Sequence, residues 1–324
     1  MVNITQHNAM GRLGTRSIPA VVYLLALAWW VRATITPVLI PNFDVILKLM
    51  TAPLSSDLDG ERLHGSALSW IIGWAISIDG PRELRWLFGV ESVVAIAGII
   101  WAVGHPWRRD SIGALVAVST CSWMYVQFHW LSYDALTLLL LALVAGFYLR
   151  GGRLVYLAML LLGLQHFEIL LTNILTVGPL LWVRHRSRAT ESVGRAWRPR
   201  DLAAMVSLGL FARLGLSGTY GLLGVRENSR ISWVVRRGFL DGRSAWDDGV
   251  WLGWSVLGLG WLVFVAHMTI ARPAERFAVA LGPIVAMGVA LFGTDHTRTG
   301  AMSLVWLSLL VVRSVACHPW ANHR

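Results

Sequence analysis

The residues able to do chemistry in this chain fall into a few tight groups. In "LFGTDHTRTGAMSLVW", Leu291 to Trp306, the residues Asp295, His296 and Arg298 sit between two apolar runs. A turn that crowds them together is either a loop clasp between Asp and Arg or the wall of a site, and His296 adds a group that titrates near neutrality. In "LGLQHFEILL", His166 and Glu168 lie among apolar residues, where ionisable groups are costly and usually face a cavity or a partner. Asp44, between Phe43 and "VIL", has the partly desolvated setting that suits a general base. The stretch "GVRENSRISWVVRRGFLDGRSAWDDG" carries Arg226, Arg230, Arg236, Arg237 and Arg243, interleaved with Trp233, Phe239 and Trp246. Guanidinium forks bind phosphate oxygens bidentately, so such a cluster on a membrane surface suits a lipid-linked phosphate or diphosphate. Its plainer reading is a loop balanced by Glu227, Asp241, Asp247 and Asp248.

Composition says what must position these groups. Hydrophobic residues make up 56% of the chain and charged ones 14%, with 18 Trp and a mean hydropathy of +0.58, against about 25% charge in soluble domains. Apolar runs recur along the whole sequence, each near the roughly 17 to 25 residues that cross about 30 Å of hydrocarbon, so the expected architecture is an all-α bundle of transmembrane helices. One transmembrane domain, 1–324, accounts for everything. The net charge of +10 does not imply nucleic acid, because Arg-rich loops in a multispan protein are first of all topology signals. Cys121 and Cys317 have neither metal-ligand spacing nor the number for a disulfide scaffold. The chain has no P-loop, no G-x-G-x-x-G, no H-E-x-x-H and no G-x-S-x-G.

About ten spans are expected: Ile18 to Trp30, then 84–104, 111–128, 134–149, 154–164, 168–183, 202–222, 250–270, 277–293 and 301–316. With the N-terminus cytoplasmic, the inner loops hold Arg108 and Arg109, Arg150 and Arg153, the basic loop 184–201, and Arg272 and Arg276, as the positive-inside rule asks. The segment Leu154 to Val183 exceeds one crossing, and a single crossing would put the basic loop outside. Two short helices meeting at Gln165 to Glu168 resolve this and sink His166 and Glu168 into a protein-lined cavity. The outer side then carries the loop 38–83, the turn at 294–300, the loop 223–249, and the start of "FHWLSYDALTLLLLAL" with His129, Tyr133 and Asp134. Asp134 there is also an ordinary helix cap. Within the first outer loop, Asp57, Asp59, Glu61 and His64 precede an apolar piece, Leu68 to Ile78, too short to span. It is expected to lie along the interface, with Trp70 and Trp74 at headgroup level. Glu91 and Arg213, within spans, are expected to pair with other polar side chains of the bundle.

This layout resembles the GT-C superfamily, multispan bacterial glycosyltransferases that use polyprenyl-phosphate sugars on the external face of the cytoplasmic (inner) membrane. The resemblance rests on a first span, an early acid in "PNFD", a D-x-D-like "SDLDG", an interfacial helix, the acidic-then-Leu-rich "SYDALTLLLLAL", and "TDHTR" before the last span. It implies an acceptor-activating carboxylate at Asp44, with Asp57 or Asp59 as rivals where Mg2+ or Mn2+ is used, although a leaving phosphate held by Arg requires no cofactor. It implies donor-phosphate binding by Arg226, Arg230, Arg236, Arg237 or Arg298, and a substrate cavity lined by Tyr133, Asp134, His166, Glu168, Asp295 and His296. The implied partners are a polyprenyl-phosphate-linked sugar donor, a glycan, lipid or protein acceptor in the cell envelope, and membrane lipids. Residues 1–324 hold no counterpart of the large C-terminal external domain of many members, so acceptor recognition is expected to come from loops. A surface-polysaccharide polymerase or ligase is the nearest alternative, and a multispan transporter or flippase the alternative from another class; no internal repeat supports transport.

Overall fold

The computed structural model describes residues 38–40, 43–55, 63–103, 130–186, 199–225, 253–254, 256–290 and 296–316. The expected spans at Ile18 to Trp30 and 111–128 lie outside these residues. The described chain is almost wholly helical, apart from a two-residue parallel pairing of β1 (Val38–Leu39) with β2 (Trp130–Leu131). The helices are α1 (Phe43–Thr51), α2 (Ala67–Ala75), α3 (Pro81–Val103), α4 (Asp134–Arg150), α5 (Leu154–Arg186), α6 (Pro199–Leu222), α7 (Gly260–Ile270), α8 (Pro273–Ala290), α9 (His296–Ser303) and α10 (Val305–Ala316). Four of them are long and apolar enough to cross a membrane, at Pro81–Val103, Leu154–Arg186, Arg200–Leu222 and Pro273–Ala290.

Helix α5 is two helices joined at His166, whose backbone is extended (φ −161°, ψ 78°) rather than helical. The two arms run in opposite directions. On a straight helix Met159 and Leu170 would lie about 16 Å apart, yet a side-chain carbon on Gly209 of α6 would lie 3.6 Å from Met159 O and run into Leu170. The first arm starts beside α6, where the Tyr156 hydroxyl donates to Asp201 at 3.4 Å. The second arm ends at Arg184, which donates to Ser314 near the end of α10 (2.9 Å) and lies 3.7 Å from Glu275 in the first turn of α8. Arg150, at the end of α4, donates to Trp101 O near the end of α3. The helix ends at 150, 184, 201, 275 and 314 thus share one end of the bundle, here called the arginine end. The first arm of α5, about 18 Å long, stops short of a full crossing and leaves the break inside the bundle.

Glycines set how closely these helices approach. A methyl group on Gly163 would collide with the backbone of Gly209, one on Gly146 with Trp101, and one on Gly73 with Met50, which seats α2 on α1. Small residues of this kind let apolar helices gain packing contacts where lipid offers no hydrophobic drive to associate.

Several sequence expectations are corrected. Trp70 is fully buried, with its ring edge-on to Tyr133 (5.3 Å) and its Nε1–H donating to Leu63 O (2.7 Å), so it is a packing residue and not a headgroup anchor; Trp74 is exposed. Within "TDHTR", helix α9 begins at His296 and places Arg298 on a helix; Asp295 lies outside the described residues. The last span is broken between α9 and α10 at Leu304. Glu91 is buried in α3, and among the described residues neither of its oxygens has a hydrogen-bond partner.

The reversal at His166 is checked by replacing Cys121 and Cys317 with serine and introducing Arg153→Cys or Arg186→Cys. A membrane-impermeant maleimide should label both from the same side of the membrane; labelling from opposite sides would refute the reversal. The Gly163 contact predicts that Gly163→Ala destabilises by about 1–3 kcal/mol, the usual cost of overpacking. Gly215→Ala, where a methyl meets nothing within 4 Å, should be neutral or stabilising in the same thermal melt.

Candidate functional site

The end of the bundle opposite the arginine end is organised around Gln165, the last residue of the first arm of α5. Its fully buried amide donates to Ser69 Oγ (2.8 Å) and to Tyr133 O (3.1 Å), and its carbonyl accepts from the Ser69 backbone N–H (3.0 Å). One side chain therefore fixes α2, the start of α4 and the break in α5 relative to one another. Because Tyr133 O is held, Asp134 in the first turn of α4 has a set position.

Asp134 is not simply a cap. Its carboxylate lies 2.9 Å from Arg298 of α9, with side-chain exposures of 3% and 24%. Ser132 Oγ accepts from the Asp134 backbone N–H at 3.3 Å and contacts its carboxylate at 3.4 Å. A carboxylate this buried needs a cation, and Arg298 supplies one while reaching the surface of the bundle. The sequence offered Asp295 as the neighbour of Arg298; the fold joins Arg298 to Asp134 across the bundle.

Next to Gln165, at the helix break, His166 Nδ1 lies 3.4 Å from Glu168 Oε2, an ionic contact that lacks the alignment of a hydrogen bond. Both side chains are mostly buried. The break is what brings residues 166 and 168 to one side, since on a continuous helix residues two apart do not face each other. The paired carboxylate and imidazole can exchange a proton with a bound hydroxyl.

Asp44 lies in the first turn of α1 and is exposed, so the desolvated setting expected for it is not present. Tyr133 is buried beneath Trp70 and presents its carbonyl, not its ring, to Gln165. The backbone of His296 opens α9; its side chain lies outside the described residues, as do Asp57, Asp59, Arg226, Arg230, Arg236, Arg237 and Asp295. Among the described residues no three His, Cys, Asp or Glu side chains converge as a metal set.

Two residues that hold this region escaped the sequence reading. Asn173 donates to Met302 O (2.8 Å) and Ile169 O (2.9 Å) and accepts from the Trp306 N–H (3.0 Å), while Thr176 donates to Ser303 O (2.8 Å). These are backbone groups flanking the break between α9 and α10, which inside a membrane must find partners within the protein. Their only sequence signal is an amide inside an apolar run. Comparison with protein-family models, with characterised proteins and with solved structures finds no match for this chain.

The Asp134–Arg298 pair predicts energetic coupling. Arg298→Gln should cost on the order of 3 kcal/mol by leaving a buried carboxylate alone, and the double variant with Asp134→Asn should lose less than the sum of the single losses. Strictly additive losses in thermal melts would show that the two side chains do not interact.

Proposed function

We propose that this chain is a membrane glycosyltransferase that moves a sugar from a polyprenyl-phosphate carrier to an acceptor in the cell envelope. The reaction takes place at the end of the bundle opposite the arginine end. The observation that carries this reading is the grouping of a buried carboxylate–guanidinium pair and a carboxylate–imidazole pair at one end of the bundle. Both are tied to the same short stretch of chain through Gln165 and Tyr133. By the positive-inside rule the arginine end is cytoplasmic, which puts this grouping on the external side.

In the proposed step an acceptor hydroxyl gives its proton to Glu168, held by His166. Its oxygen bonds to the anomeric carbon, and the bond from that carbon to the carrier phosphate breaks. The leaving phosphate takes the electron pair and its negative charge is met by Arg298, with Arg226, Arg230, Arg236 and Arg237 as further candidates for the same role. Stabilising charge that develops on the leaving group is where fixed donors lower the barrier most. Glu168 is preferred to Asp44 because it is mostly buried and paired while Asp44 is exposed. Asp57 or Asp59 would enter if a divalent ion such as Mg2+ or Mn2+ takes part.

The test is transfer of radiolabelled sugar from a panel of polyprenyl-phosphate sugars in proteoliposomes. Glu168→Gln should lower transfer about 10²-fold or more, the usual contribution of a positioned base, and Asp44→Asn should lower it less. The reverse order would move the base to Asp44. No transfer by the parent protein from any donor would end the glycosyltransferase reading.

A further inference from the structure

The arginine end holds a second concentration of unusual side chains, and the topology rule explains only part of it. That rule asks for cations in loops, among water and headgroups. Here three arginines stand at the last turns of α4, α5 and α10; Arg150 is exposed and Arg184 half-buried, while Arg313 turns two of its guanidinium nitrogens into the bundle. Arg150 is accounted for, since it donates to Gly146 O (3.0 Å) and Trp101 O and lies over the Trp101 ring at 4.0 Å. Arg184 is held by Ser314 and Glu275. Arg313 is different. Its Nε and Nη1 are buried, and among the described residues neither has a hydrogen-bond partner.

The groups around Arg313 make its position costlier still. Arg150 lies within charge–charge range of it, and its chain neighbour Ser314 accepts from Arg184. Arg184 in turn is within charge–charge range of His267 at the end of α7. His267 is 2% exposed, and among the described residues neither ring nitrogen has a partner. Glu275 is the one carboxylate that the described contacts bring to this group. Cations at helix C-termini are stabilised by the exposed carbonyls, which covers Arg150. It does not cover buried guanidinium N–H groups that reach no carbonyl, since donors left unmade in a low-dielectric interior cost free energy.

We propose that the arginine end binds a phosphate oxyanion between Arg313, Arg150, Arg184 and His267, supplied by a phospholipid headgroup or by a free phosphate compound. A tetrahedral oxyanion has several acceptor oxygens for the Nε and Nη1 donors of Arg313, and its charge offsets the crowding of like charges. The site is separate from the Asp134–Arg298 grouping, and the proposal does not depend on the transferase reading.

The test uses the full chain in a maltoside detergent, which carries no phosphate, at constant ionic strength. The thermal midpoint is followed by tryptophan fluorescence while inorganic phosphate is added in one series and phosphatidylglycerol in another. The parent protein should be stabilised in at least one series. Stabilisation by inorganic phosphate indicates a free phosphate compound, and stabilisation by phosphatidylglycerol alone indicates a headgroup. Arg313→Gln should shift half-saturation about tenfold or more, as expected for loss of a charged hydrogen bond. Arg153→Gln, an exposed arginine at the same end, should leave it unchanged. If Arg313→Gln does not fold, Arg313→Lys serves in its place, with a smaller shift expected. Absence of stabilisation in both series overturns the proposal, as does an equal shift in Arg153→Gln.

Discussion

Gln165 makes three hydrogen bonds with one buried amide, and most of the end that carries the candidate site depends on it. A chain that reverses inside an apolar bundle exposes backbone groups that hydrocarbon cannot satisfy, so the reversal has to be anchored by polar side chains. Gln165 provides the anchor immediately before the extended residue His166. By holding Tyr133 O and both polar groups of Ser69, it fixes the entry of α4 and the seat of α2. The edge-on packing of Trp70 against Tyr133 and the position of Asp134 follow from that. The ion pair with Arg298 is therefore a consequence of the amide network as much as of charge attraction.

The same requirement appears again at Leu304, where the last span is interrupted. Asn173 and Thr176, both on the second arm of α5, reach the carbonyls of Met302 and Ser303 and the N–H of Trp306. The break between α9 and α10 is thus repaired by side chains of α5, and the break in α5 is fixed by Gln165, which ties it to Ser69 and Tyr133. Arg298, six residues before the second break, is placed by α9, and α9 is placed by α5. The two pairs at this end consequently share one support, so a change in either break would move both.

Much of this was legible in the sequence, for definable reasons. Span length is a physical constraint, and Leu154 to Val183 was too long for one crossing and too polar at its middle to be uniform, which located the break at Gln165 to Glu168. The arginines at 150, 184 and 272 foretold which helix ends share a side. Partnership across the bundle was not legible. Asp295 stands beside Arg298 in sequence while Asp134, with which Arg298 pairs, stands far away, and nothing in residue spacing reports a contact between α4 and α9. Trp70 misled because a tryptophan in a short apolar helix has the same signature whether it faces headgroups or packs on Tyr133. Asp44 misled because apolar neighbours in sequence do not bury a residue that points outward from the first turn of α1.

The distribution of charge between the two ends bears on what the bundle can do. At one end acids meet bases in pairs, Asp134 with Arg298 and Glu168 with His166. At the other, Arg150, Arg184 and Arg313 gather, and of these Arg184 contacts a carboxylate, Glu275. A substrate pathway through the bundle would require polar groups to continue between these ends, because ions and sugars cross hydrocarbon only where side chains or water replace their hydration. Between them some of the described polar groups are taken up by backbone repair, as with Asn173 and Thr176, and much of the intervening core is a cluster of Leu, Val, Ala and Ile. Glu91, Thr137 and Ser308 are buried there as well, and among the described residues their side-chain oxygens have no hydrogen-bond partner. The described residues therefore set paired opposite charges at one end and a surplus of guanidinium groups at the other, so the two ends differ in the charge they can meet.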